Sequence, residues 1–144
     1  MLLTMDCSVR LMRWLDLYST GIDKVDRQHE NLTDLLNCLN EAWRTGKSHD
    51  VLLFRLDQLL AAVGGHFRDE EQIMIEKEYP DLDLHKAEHD FLLEQVLQFR
   101  TQFAAEEAEL TESMLDFLRD WLRDHILISD RRLGRFVCGE AKPC

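Results

Sequence analysis

Apolar residues recur along this chain in alternating steps of three and four, the spacing of amphipathic helices, and four such seams can be traced. The first runs Ile22, Val25, His29, Leu32, Leu36, Leu39 and Trp43, with Asp23 placed to cap it and Gly46 to end it. The second runs Leu52, Leu56, Leu59, Val63, His66, Glu70 and Ile73 toward Tyr79-Pro80, weakened locally by Gly64-Gly65. The third follows Asp81, a candidate cap, through Leu82, His85, His89, Leu92, Val96, Phe99 and Phe103. The fourth starts near Thr111 and runs Met114, Leu118, Trp121, His125 and Ile128. The pattern predicts helices over about 23–45, 49–76, 82–105 and 111–136, an N-terminal arm over 1–21 and a short tail over 137–144. Short connections favour antiparallel neighbours, so the expected fold is all-α: one domain, an up-down-up-down four-helix bundle with an extended N-terminal arm.

Polar groups interrupt these seams where Leu, Val, Ile or Trp would be ordinary: His29, His66, Glu70, His85, His89 and His125. One inward histidine is usually a satisfied core residue, but six such groups need a cation to balance them. His29 lies early in the first helix and His66 and Glu70 late in the second. His85 and His89 lie early in the third, and His125 late in the fourth. An antiparallel bundle brings those four places to one end. His66-x-x-x-Glu70 and His85-x-x-x-His89 are pairs on one helical face. His125 and Asp130 are five apart, which on an α-helix turns them about 140° from each other. Asp130 shares a flank with Leu122, Ile126 and Leu133 and can still reach inward, which suits a bridge to a second metal. Five imidazoles and two carboxylates exceed the needs of one tetrahedral zinc, and without thiolate they fit a pair of iron-like ions in the core.

Composition narrows the classes. The 144 residues carry 28 acidic and 17 basic side chains, a formal charge of −11, which disfavours nucleic acid or an anionic membrane as partner. Hydrophobic residues make up 45% of the chain, enough for a core. No apolar run approaches the ~18 residues of a membrane span. Asp6, Arg10 and Arg13 break up the N-terminus as a signal-peptide core. Cys7, Cys38, Cys138 and Cys144 contain no C-x-x-C pair, and the expectation is reduced thiols in a cytoplasmic protein. On this reading Cys38 is a small apolar helix residue and Cys144 a tail thiol. A thiol switch on Cys7, Cys138 or Cys144 is the alternative.

Trp14 with YSTGIDKVDRQHENL, then HFRDEEQIM, EYPDLDLHKAEHDFL and FLRDWLRDHILISDRRL, covers roughly residues 14–136 and resembles hemerythrin in its bacterial single-domain form. The ordered set of one His, His-x-x-x-Glu, His-x-x-x-His and His-x-x-x-x-Asp carries the resemblance. It implies a non-haem di-iron centre in which His85, His89 and His125 hold one iron and His29 and His66 the other. Glu70, Asp130 and an oxo or hydroxo group would bridge them. The second iron would keep a vacant position where O2 binds reversibly as hydroperoxide. The resemblance further implies an oxygen pocket of Leu32, Phe67, Trp121, Leu122 and Ile126, and an oxygen carrier, store or delivery protein rather than an enzyme. The alternative is a sensor of O2, NO or redox state, or a peroxide- and iron-handling protein, with the same site. No fused output domain is expected in these 144 residues, which counts against self-contained signalling but not against a sensor that acts through a separate partner. No Glu-x-x-His pair supports a ferritin-like carboxylate oxidase, and His29-Glu30 lacks the second His of a zincin. His49 and Met74 are expected to have no metal role. Ser129 beside Asp130 could admit water if it turned inward.

Overall fold

The chain winds into helices wherever the seams run. The structure, a computed structural model, describes residues 7 and 9–139. Helix α1 spans Asp23–Arg44, α2 His49–Glu76, α3 Leu82–Ala104 and α4 Glu112–Asp124; α4 continues through a π-helical turn, His125–Asp130, into α5, Arg131–Cys138. No strand occurs among the described residues. The helices form an antiparallel four-helix bundle in which α2 packs against α1 and α3, and α1 against α4. Leu36, Leu39, Leu56, Val96, Leu115 and Leu118 fill the bundle away from the histidines, and Met74, Tyr79 and Leu133 form a smaller core at the other end. None of the described helices is long and apolar enough to cross a membrane.

Local chemistry sets the helix ends. Ser48 caps α2 by accepting from the Val51 amide, and Thr111 caps α4 by accepting from the Met114 amide. Gly46, at φ +71°, takes the left-handed conformation that ends α1. Two expected caps differ. Asp23 lies inside α1 and pairs with Arg27, while Ile22 is the N-cap. The helix start is fastened instead by Asp26, which accepts from the Thr20 amide and hydroxyl and from Ser19 Oγ at 2.6–2.8 Å. Asp81 is the N-cap of α3, but its side chain makes no capping bond. Gly64-Gly65 leave α2 unbroken, because its face is buried on both sides of the pair, by Leu56, Leu59 and Val63 before it and His66, Phe67 and Glu70 after it.

The fourth seam departs most from expectation. Leu115, rather than Met114, is fully buried, and Ile128 is 58% exposed. The π turn accounts for Ile128: its wider winding takes up one extra residue, so positions read at α-helical period beyond His125 fall on the wrong face.

The arm lies along α1. Asn37 Oδ1 accepts from the Leu11 and Met12 amides at 2.8 and 2.9 Å, and its Nδ2 donates to the Met12 carbonyl at 2.7 Å. A Cys7–Cys38 disulfide fastens the same segment, and Cys138 is also disulfide-bonded, so the expectation of reduced thiols is overturned. Spacing carried no sign of this pairing, because 31 residues of arm and helix separate two cysteines that the fold brings together. The thiol argument for a cytoplasmic protein falls with it. Cys144, read as a tail thiol, lies outside the described residues. Toward α1 the arm makes a short 3-10 turn, Asp16–Tyr18, and then crosses α5 at Gly134, where a Cβ would come within 2.0 Å of the Thr20 carbonyl oxygen.

Candidate metal centre

Each helix of the bundle delivers its polar interruptions to one level of the core. His29 comes from α1, His66 and Glu70 from α2, His85 and His89 from α3, and His125 and Asp130 from the π turn, and all seven are buried. They form two overlapping groups. One donor atom each from Glu70, His85, His89, His125 and Asp130 lies within 4.8 Å of the others, and so do those of His29, His66, Glu70 and Asp130. Asp130 is not turned away from His125, because winding through i→i+5 bonds returns the fifth residue to the same face.

The two carboxylates belong to both groups and divide their oxygens between them. Glu70 Oε1 faces His85 Nε2 at 2.5 Å and His89 Nε2 at 3.1 Å, while Oε2 faces His66 Nε2 at 3.2 Å. Asp130 Oδ1 faces His85 and His125 Nε2 at 3.0 and 3.1 Å, while Oδ2 faces His29 Nε2 at 2.8 Å. Despite these distances, Glu70 Oε2, both Asp130 oxygens and His85 Nε2 have no hydrogen bond. They are aimed at common points rather than at one another.

The outer ring nitrogens explain how the inner ones are aimed. His66 Nδ1 donates to Gln28 Oε1 at 2.7 Å, His89 Nδ1 to Glu71 Oε2 at 2.8 Å, and His125 Nδ1 to Glu88 Oε2 at 2.8 Å. Such bonds fix the tautomer, leaving an Nε2 lone pair pointing inward. His29 and His66 Nε2 lie 3.0 Å apart, and His89 and His125 Nε2 lie 3.1 Å apart. Facing lone pairs at that separation repel unless positive charge lies between them. The electrostatics agree. Burial pulls the His85 and His125 imidazoles down, yet Asp130 and Glu70, joined at His125 by Glu88, raise them to about 9 and about 10. Burial and Asp130 push the Glu70 carboxyl up, and His66, His85 and His89 together bring it to about 2. A place that attracts protons this strongly attracts a dication more strongly, so the donor set fits two metal ions.

Aromatic and aliphatic groups close the site. Phe67 stacks on His89 with ring centres 3.8 Å apart, and Trp121 stacks on His125 at 4.5 Å. Leu32, Leu122 and Ile126 are buried in the same apolar cluster as Phe67, whereas Trp121 is half-buried. Trp14 of the arm packs on the outer side of His29, with ring centres 6.3 Å apart. The Ser129 hydroxyl is engaged with Glu88, donating to its Oε2 at 2.6 Å. His49 stacks on Phe103 at the far end of the bundle, and Met74 packs in the small core.

Sequence reading missed Gln28, Glu71 and Glu88. Each neighbours a seam residue on its own helix (His29, Glu70 and His89) and holds a ring on the next helix. That adjacency was the available signal.

An all-helical bundle with five buried imidazoles sharing two carboxylates defines a non-haem dinuclear metal protein. The family model described as the hemerythrin HHE cation-binding domain matches residues 20–137. The chain belongs to the hemerythrin family, oxygen-binding proteins with a di-iron centre. It is 36% identical over 125 residues to the bacteriohemerythrin of Methylococcus capsulatus, covering 86% of this chain and 95% of that one. It is 25% identical over 118 residues to the myohemerythrin of Theromyzon tessulatum, covering 82% of this chain and 87% of that one. A crystal structure of wild-type hemerythrin superposes with a TM-score of 0.84 at 36% identity, covering 91% of this chain and 99% of that one.

Proposed function

We propose that the chain binds O2 reversibly at its di-iron centre and serves as an oxygen carrier or store. His85, His89 and His125 would hold one iron and His29 and His66 the other, with Glu70 and Asp130 shared between them. The observation that carries this reading is the division of both carboxylates, one oxygen toward each group. The group of His29 and His66 would offer its ion one imidazole fewer than the group of His85, His89 and His125. The pair of ferrous ions supplies the electrons that oxygen draws on when it binds.

The chain's own residues supply the rest. Gln28, Glu71 and Glu88 hold three rings in place, so little reorganisation accompanies a change of charge at the metals. Leu32, Phe67, Leu122 and Ile126 line the oxygen pocket and exclude water, with Trp121 at its edge. Dryness favours release of oxygen intact, because water and protons promote irreversible oxidation of the irons.

The test is reconstitution with ferrous iron in the absence of air, followed by repeated admission and removal of oxygen. The expected result is a visible ligand-to-metal absorption band that appears with oxygen and vanishes when it is withdrawn, over several cycles. Conversion to a stable ferric spectrum at the first exposure would overturn the carrier reading.

A further inference from the structure

The groups behind the histidines are distributed unequally. On the side of His85, His89 and His125, two rings donate to carboxylates: His89 to Glu71 and His125 to Glu88, each at 2.8 Å. The Glu88 carboxylate is held in place by a second donor, the Ser129 hydroxyl. On the side of His29 and His66 there is no such charge. His66 donates to the neutral amide of Gln28, and His29 Nδ1 is buried with no hydrogen-bond partner. The nearest carboxylate behind Gln28 is Asp69, one amide removed, and it lies 3.5 Å from Lys24 Nζ, which offsets it.

An anionic acceptor draws the Nδ1 proton outward and makes the opposite nitrogen a stronger donor to a metal; an amide does so weakly and an absent partner not at all. Glu70 and Asp130 serve both positions and cannot distinguish them. Solvent screens Glu71 and Glu88 in part, at 21% and 38% side-chain exposure, but the direct bond to the ligand ring is not routed through solvent.

We propose that Glu71 and Glu88 make the two metal positions electrically unequal, so that a one-electron-oxidised pair carries its Fe3+ at the position of His85, His89 and His125. The inference rests on the di-iron reading above. The position with two anionic partners would lose its electron at the lower potential, and the position backed by Gln28 would retain Fe2+. Glu71 and Glu88 act through the rings they hold and are positioning residues.

The experiment is a mediated redox titration of the iron-loaded chain, followed by electron paramagnetic resonance, with iron per chain counted beforehand. Wild type should show two separated one-electron steps with a mixed-valence signal between them. Glu88→Gln and Glu71→Gln keep the shape and remove the charge; each should raise the lower step more than the upper, narrowing the gap. Gln28→Glu places a carboxylate on the other side and should lower the upper step more than the lower. The gap narrows again, but the mean potential moves the opposite way. A purely structural role would not produce opposite shifts from the two kinds of variant. Equal movement of both steps, or none, in variants that hold two irons overturns the proposal. A wild-type chain that cannot hold two irons overturns the di-iron reading itself, and the count shows which has failed.

Discussion

At the scale of single residues, the seven buried donors were legible because burial makes them expensive. A His or Glu on an apolar seam has no inexpensive explanation, and four helices placing theirs at one level has only one economical cause. Gln28, Glu71 and Glu88 were not legible for the opposite reason: a polar residue on a helix flank looks like a solvated face until the neighbouring helix is in place. The two carboxylates shared by both donor groups lead to a sharp expectation. Asp130→Ala or Glu70→Ala should abolish the stable pair of irons, giving at most one tightly held iron per chain by elemental analysis. Two tightly held irons in either variant would remove the bridge assignment. His49→Ala, at the opposite end of the bundle on Phe103, should leave iron content unchanged.

At the scale of elements, three helices follow their seams closely and the fourth does not. The five-residue interval from His125 to Asp130 was the clue to the π turn, but hydrophobic periodicity is read at one fixed period and cannot register a change of winding within a helix. The same continuation, α5, meets the arm at its tightest contact. Gly134→Ala would press a methyl group into the Thr20 backbone, which cannot step aside as a side-chain tip can. Its expected cost is about 1–3 kcal/mol or more, read as a lower urea midpoint. Because α5 follows Asp130 directly, the variant should also bind iron less tightly. Asn37→Ala removes three buried or half-buried hydrogen bonds between α1 and the arm. Destabilisation by roughly 2–3 kcal/mol is expected, with Trp14 fluorescence shifting toward that of an exposed indole.

At the scale of the whole molecule, seams and short connections sufficed for the antiparallel bundle, but nothing in a seam describes how an irregular arm lies on it, and so the disulfide was missed. Two expectations concern global stability. Metal that binds only the folded chain should raise the melting temperature, by about 2.7 kcal/mol of added stability when free metal stands 100-fold above its dissociation constant. Removal by a chelator should reverse this in calorimetry; an unchanged melting curve would argue against a site assembled by folding. Opening the Cys7–Cys38 loop in a Cys7→Ser, Cys38→Ser variant should cost about 3–4 kcal/mol on a chain-entropy estimate for its 31-residue separation, measured in the same way. The disulfide also sets chemistry at odds within one chain. The form that takes up oxygen must keep its irons supplied with electrons, whereas the sulfurs that fasten the arm must be kept from them. A thiol or a strong reductant used to hold iron ferrous works equally on the sulfur clip, and the loosened segment is the one whose Trp14 covers His29. Preparations of the deoxygenated protein should therefore differ according to how the air was removed: by evacuation, with the disulfide intact, or by chemical reduction, with the arm held at that point by the Asn37 hydrogen bonds.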